Sequence, residues 1–484
     1  MRGKNTKKRS AVFRASEPSC QPDKEDEEGG QSNESIPSRA PALDTRSDPS
    51  VHRNRHAIVP GARTHGGFML PWIVPAPAKT PHDLALVDFP EVLDPATRQL
   101  LHGFFISIKE SMYPVEWCFG PDYTQSCWFQ WLYVDLAYYY SCLFVASSFK
   151  DLYEALANTV GATPDTDLSK KLSGQTLRYL RLTIDLLQKR LEKPGRQLDD
   201  ATVAIVVSLA MVADIVGDAQ AALAHVNGLK QMVRMRGGIK GMTSNRGLLS
   251  KIYRVDLGYA IKYGERPEFV ADDLSWEPAI DRLIHAESPI VPRAAPSVLQ
   301  DIIESLDPKI RSVFQDLRAF ASVADGLIAT KSKLRPELFQ EIMMSIQYRL
   351  LLLETRLEAQ PIDEAIRLGL IAFQTSVFLQ MYGTKVKYEF LNGQLASAVQ
   401  RFPESSPALV QLKTWLAFIA SIAVLDSNEP WLVAIIRRLT LGSDWLETRR
   451  SLEDVMWVGV IHNGTGKRVY NSVHVYEETV SFGF

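Results

Sequence analysis

Apolar residues recur at every third or fourth position through most of residues 94–460, which predicts one helix after another. Asp94-Pro95 is a strong helix start, an N-cap acceptor followed by proline at the first helical position, and Leu100, Leu101, Phe104, Phe105 and Ile108 then share a face. Leu177, Leu180, Ile184, Leu187 and Leu191 repeat by three and four until Pro194-Gly195 stops them. Asp199 opens a helix that is apolar all round to Val216 and so belongs at the centre of a core. Asp218 caps the next, with Ala222, His225, Leu229, Met232 and Val233 on one face. It ends at Gly237-Gly238, where one glycine takes the left-handed C-cap conformation. Leu248, Leu249, Ile252, Tyr253 and Asp256 mark a further helix. A loop broken by Pro278, Pro289, Pro292 and Pro296 follows, and helical spacing resumes near Ser297. Only the tail from Arg468 alternates weakly, through Val473 and Val475, and it is read as a short strand. With neither a sequence repeat nor βαβ alternation, the expected fold is all-α: a multi-helix regulatory domain of about a dozen helices behind a disordered N-terminal segment.

That segment covers residues 1–65. Between Phe13 and Phe68 there is no aromatic residue and only five Val, Ile, Leu or Met, too few to offset ordering entropy by burial. A proline-rich linker at 66–92 (Pro71, Pro75, Pro77, Pro81, Pro90) leads into the helical body at 93–460, and 461–484 form a C-terminal tail.

The chain has 484 residues, 46% apolar and 23% charged, with 54 Lys+Arg against 56 Asp+Glu. Residues 1–65 hold 12 of the basic and 9 of the acidic residues, so 42 and 47 remain and the rest of the chain is mildly acidic. Such a balance speaks against a nucleic-acid coat or a polybasic membrane binder. The apolar run Ala201 to Ala213 stops short of the roughly 18–20 residues a bilayer needs. Lys7-Lys8-Arg9 has no apolar stretch behind it, so no secretory signal is expected. Cys20, Cys118, Cys127 and Cys142 make no disulfide framework for a body of this size, and a reducing compartment fits best.

Sites of chemistry are hard to find. Asp199-Asp200 is followed by Val203, and Asp272-Asp273 by Trp276, where a magnesium-binding Asp-Asp-x-x-Asp face needs a third carboxylate. Gly464-Thr465-Gly466-Lys467 lacks the spacing of a phosphate loop and reads as a surface turn. No Gly-x-Ser-x-Gly or His-Glu-x-x-His occurs. His52, His56 and His65 sit among arginines in a solvated linker with no thiolate nearby, and His225 reads as a hydrogen-bonded core histidine. No enzyme activity, cofactor or metal is expected. Residues 104–153 hold 16 of the 45 aromatic residues but only Lys109 and Lys150 as basic ones, so base stacking is disfavoured. The aromatics are core first. Trp117, Trp128 and Trp131 are the candidates for an apolar pocket.

One resemblance organises these features. The order Phe89-Pro90, Leu93-Asp94-Pro95-x-Thr97-Arg98-x-Leu100-Leu101, Tyr113-Pro114-x-Glu116 and Trp128-Phe129 is followed by His225-x-x-Gly228-Leu229-x-x-Met232-Val233-x-x-Arg236-Gly237-Gly238 and Leu249-x-Lys251-Ile252-x-Arg254-x-Asp256. Over about residues 85–460 it resembles the helical regulatory domain of fungal-specific transcription factors, in the filamentous-ascomycete branch that carries it behind a binuclear zinc cluster. The stretch from His225 to Asp256 is the most specific part.

The resemblance implies an all-α regulatory and dimerisation domain, a nuclear location and control of transcription by RNA polymerase II, with transcription-regulating proteins or related zinc-cluster factors as partners and a homodimer as one possibility. It brings no catalytic residues. The family's DNA reader needs six cysteines, and before the helical body only Cys20 occurs. Three roles remain open on these residues: regulator acting through partners or an upstream zinc cluster, non-DNA-binding modulator of related factors, and small-molecule sensor. Lys4, Lys7, Lys8 and Arg9 are the nuclear-import candidates. DNA is expected to bind weakly and non-specifically, through the basic clusters of residues 1–65.

Overall fold

Asp94 starts the first helix as its sequence requires. Its Oδ1 accepts from the backbone N–H groups of Ala96 at 2.8 Å and Thr97 at 3.0 Å, and α1 runs Pro95–Glu110. The computed structural model describes residues 89–110, 118, 130–158, 172–270, 274–278, 280, 297–335, 338, 342–353, 360–380, 386 and 388–474. Among the described residues there are fifteen α-helices and no strand.

After α1 come α2 (Leu136–Asn158), α3 (Gly174–Leu191), α4 (Asp200–Val216), α5 (Ala219–Met235) and α6 (Arg246–Tyr263). Helix α2 packs on α1, α3 and α4, and α4 on α5 and α6. Helix α4 is buried along nearly its whole length, as its unbroken apolar sequence predicts, and ends on Gly217 at φ 83°. The chain continues as α7 (Ser297–Ser305), α8 (Pro308–Thr330), a π-helical turn at Ile342–Ile346, α9 (Gln347–Leu352), α10 (Pro361–Gln374) and a second π-helical turn at Thr375–Leu379. Helices α11 (Glu389–Arg401), α12 (Pro407–Ala423), α13 (Pro430–Leu439), α14 (Trp445–Val455) and α15 (Gly459–His474) complete it. Helix α12 is the centre of this second group, packed by α10, α11, α13, α14 and α15. Helix α6 joins the two groups through contacts with α4, α5, α9 and α11.

Two expectations are corrected. Helix α3 is amphipathic, but its buried line is Thr176, Tyr179, Thr183 and Leu187, while Leu177 and Leu191 are exposed. Polar anchors turn it: Thr176 Oγ1 donates to Asp151 Oδ2 at 2.6 Å, the Ser173 N–H donates to the same oxygen at 2.7 Å, and Arg190 pairs with Asp135. The tail, read as turn and strand, is instead helix α15. The Asp325 carboxylate accepts from the N–H groups of Gly459 at 2.7 Å and Val460 at 3.1 Å, capping the helix from 134 residues away. Gly466 lies against Trp445 and Trp457, so close that a Cβ there would meet their rings at 2.9 Å. The glycines that read as a turn permit close packing. The expectations for residues 1–65, most of the linker and residues 475–484 lie outside the described residues.

Candidate functional site

The stretch from His225 to Asp256 folds into the α5–α6 corner. Helix α5 starts where Asp218 accepts from the Ala221 N–H at 3.0 Å, and it buries Leu229, Met232 and Val233. It ends in a Schellman motif: the Gly237 N–H donates to Arg234 O at 3.0 Å and the Gly238 N–H to Val233 O at 2.9 Å. Both glycines have positive φ, 88° and 82°. Gly238 combines that φ with a ψ of −170°, a region essentially closed to side-chain-bearing residues. The reversal delivers Arg236 onto Asp200 in the first turn of α4. The other oxygen of Asp200 accepts from Asn245 Nδ2 at 3.0 Å, and Asn245 Oδ1 caps α6 by accepting from the Leu248 N–H at 3.0 Å. One carboxylate thus fixes the end of α5 and the start of α6 against α4.

Helix α6 then carries Arg254 and Asp256 into the interior, at 6% and 3% exposure. Asp256 accepts from the N–H groups of Glu268 at 3.0 Å and Phe269 at 2.9 Å and from the Tyr348 hydroxyl at 2.9 Å. Burial raises its carboxyl above the ordinary value, and these three donors oppose the shift. Since Tyr348 belongs to α9, Asp256 clamps the first helix group to the second. On another side of α6 a cavity of about 70 Å³ opens, lined by residues of α4, α5 and α6, Arg254 and Asp214 among them, and by Leu379, Val386 and Tyr388.

Residues 99–255 match the family model described as the fungal specific transcription factor domain. This part of the chain is similar to the fungal-specific transcription factor domain. The match runs from α1 to the middle of α6 and includes the whole α5 corner, whereas the resemblance read from the sequence extends to about residue 460. No curated protein and no solved structure matches the chain.

The remaining predicted residues are scattered. His225 is half-buried, burial lowers its pKa, and no hydrogen bond to it is found among the described residues. Gly228 has open space where a Cβ would stand, and nothing in the structure explains a glycine there. Trp131 packs edge-on against the buried Tyr138, with ring centroids 5.5 Å apart. Trp117 and Trp128 lie outside the described residues, as do Lys4, Lys7, Lys8 and Arg9. Cys118 and Cys142 are buried free thiols, both pushed up to about 12 by burial, so neither supplies a thiolate nucleophile. Among the described residues no group of three or more His, Cys, Asp and Glu is placed to hold a metal ion.

Two buried polar clusters lie beyond residues 99–255, and neither was apparent in the sequence. Arg349 and Asp316 pair at 2.5 Å with no exposure. Asp316 also accepts from the Ile280 N–H at 2.9 Å, and Arg349 donates to Ser312 Oγ at 3.1 Å and Ser345 O at 3.0 Å. His462 Nε2 lies 2.9 Å from Ser376 Oγ, the pairing of a nucleophile and its base. Its polarity is wrong for that chemistry. His462 Nδ1 accepts the Val458 N–H at 3.1 Å, so the neutral ring carries its proton on Nε2 and donates to the serine, which itself donates to Phe373 O at 2.6 Å. Both clusters join distant helices, and no spacing in the sequence brings their members together.

Proposed function

We propose that this chain is a nuclear regulator of RNA polymerase II transcription that acts through its helical body and protein partners rather than by reading DNA itself. The observation that carries the reading is the family match over residues 99–255, with the α5–α6 corner built as one hydrogen-bonded unit inside it. The domain is that of a transcription regulator. Among the described residues no helix is long and apolar enough to cross a membrane. The acidic balance of residues 66–484 disfavours phosphate contacts by the body, so DNA affinity falls to the basic clusters of residues 1–65. Lys4, Lys7, Lys8 and Arg9 are the residues we assign to nuclear import.

A second reading, a modulator that pairs with related factors or with a second copy of itself, draws on one feature. Val134, Leu136 and Leu191, 79%, 37% and 37% exposed, flank the Arg190–Asp135 ion pair and put apolar surface around it.

The test follows a fluorescent fusion of the full chain in cells and, in solution, sets a candidate promoter against shuffled DNA at physiological salt. Nuclear accumulation with weak, salt-sensitive and unselective DNA binding agrees with the proposal. Exclusion from the nucleus, or a promoter preference of about 10³-fold or more, the range of specific readers, overturns it.

A further inference from the structure

Helix α3 carries more apolar residues than its own packing uses. Its inward line, Thr176, Tyr179, Thr183 and Leu187, docks it on the neighbouring helices. A second line, Leu177, Leu180, Ile184, Leu187 and Leu191, follows the alternating three-and-four spacing of a coiled-coil seam and shares only Leu187 with the first. Leu177 and Leu191 are 50% and 37% exposed, and Ile184, midway between them, is half-buried. Positions seven apart on a helix stay within about 20° of each other, so these three residues form a nearly straight apolar ridge. Val134 and Leu136 widen the apolar surface at the Leu191 end, beside the Arg190–Asp135 ion pair.

Charge says what covers the ridge. Arg181, Asp185 and Glu192 are exposed and stand along the same flank of it, the cation in the first half of α3 and the carboxylates in the second, while Arg178 and Lys189 sit further round the helix. Such a ridge is its own complement. Under a two-fold axis through Ile184, the α3 of a second copy runs antiparallel, Ile184 meets its own counterpart and Leu177 meets Leu191. Arg181 then comes alongside Asp185 and Gln188 of the second copy, with Glu192 a turn further on. A parallel pair would instead set Arg181 against Arg181 and Glu192 against Glu192, like charge against like.

We propose that the exposed ridge of α3 is a self-association surface, occupied by α3 of a second copy of this chain in an antiparallel register centred on Ile184. This rests on the second reading above, of a chain that pairs, and gives it a surface, an orientation and a register.

Sedimentation equilibrium of the purified full-length chain is the experiment, with Leu177→Lys/Leu191→Lys as the disrupted ridge and Arg181→Glu, alone and with Asp185→Arg, as the charge variants. A monomer–dimer equilibrium is expected, with a dissociation constant of about 1–100 μM for a surface this small. The two lysines, placed at exposed positions, leave the melting temperature near that of the wild type and weaken the dimer by about tenfold or more. Arg181→Glu weakens it less, and adding Asp185→Arg restores it. Orientation is read by air oxidation in a chain carrying Cys20→Ser and Cys127→Ser. Ile184→Cys links to its own counterpart, whereas Leu177→Cys, about 21 Å from its counterpart in this register, links only when mixed with Leu191→Cys. A chain still monomeric at about 300 μM, a dimer undiminished by the two lysines, or a Leu177→Cys chain that links to itself overturns the assignment. A dimer that survives the lysines removes this surface and leaves the pairing reading standing. A strictly monomeric chain removes self-pairing, and the regulatory reading still stands on its own readouts of nuclear accumulation and transcript.

Discussion

Arg236 and Asp200, 36 residues apart in the chain, are joined by a charge-assisted hydrogen bond that holds the end of α5 against the first turn of α4. The same carboxylate takes Asn245 at the start of α6, so the corner at the heart of the family match hangs on one side chain. The pair keeps 17% and 25% side-chain exposure, which limits its worth through solvent screening. Asp200→Ala is expected to lower unfolding free energy by about 1–2 kcal/mol, and Asp199→Ala by less, because Asp199 makes no capping bond to the helix. Urea denaturation of the two variants checks the order.

Gly237 and Gly238 both have positive φ, but only Gly238 combines it with a ψ near 180°. Gly238→Val is therefore the worse of the two valine substitutions, at about 2 kcal/mol. Equal denaturation midpoints for the wild type and both variants would mean that the helix does not end in this motif.

Helix α3 separates sequence pattern from structure. Thr176, fully buried and bonded to Asp151, is expected to cost about 1–3 kcal/mol when changed to valine, since the change leaves a buried carboxylate oxygen short of a donor. Leu177→Ala, on the exposed side, is expected to stay within about 0.5 kcal/mol of the wild type. Thermal melts of the pair decide between this orientation and the one in which Leu177 faces the core.

The same helix shows where legibility ends. Local signals were readable because their chemistry lies within a few residues: the Asp94 cap, the Asp218 cap and the glycine stop at 237–238 stand where the sequence puts them. The His225 to Asp256 motif was readable as a resemblance, yet the partners that give its residues work were not. Asp200 lies in another helix, and Tyr348 is 92 residues beyond Asp256. Helix α15 was missed for a related reason. Its glycines carry low helix propensity, and their compensation, the Asp325 cap and the two tryptophans on Gly466, is tertiary.

Acid sensitivity is expected from His462. Burial holds its imidazole down to about 3, against an ordinary 6.5. Between those values the unfolded chain binds more protons than the folded one, so the stability present above pH 6.5 is lost as pH falls through this window. Glu404 acts in the same direction lower down: hydrogen bonds from Arg438 and Lys413 hold it at about 2, and its contribution is lost as pH falls from about 4.5 towards 2. Asp256 opposes both, because its carboxyl is raised by burial and protonation relieves that cost. Urea midpoints at pH 7 and pH 5 are expected to fall further for the wild type than for His462→Gln. Parallel falls would mean that the ring takes up its proton over the same pH range in the fold as in the unfolded chain.

Tethering tests whether this helical body regulates transcription without reading DNA. The full chain is fused to an unrelated DNA-binding module at a reporter gene transcribed by RNA polymerase II, and transcript is measured against the module alone. A change in transcript is expected for the wild-type fusion, and its loss when Asp200→Ala and Gly238→Val together break the α5–α6 corner. Transcript equal to that of the module alone, from a fusion shown to be expressed and bound at the reporter, contradicts it.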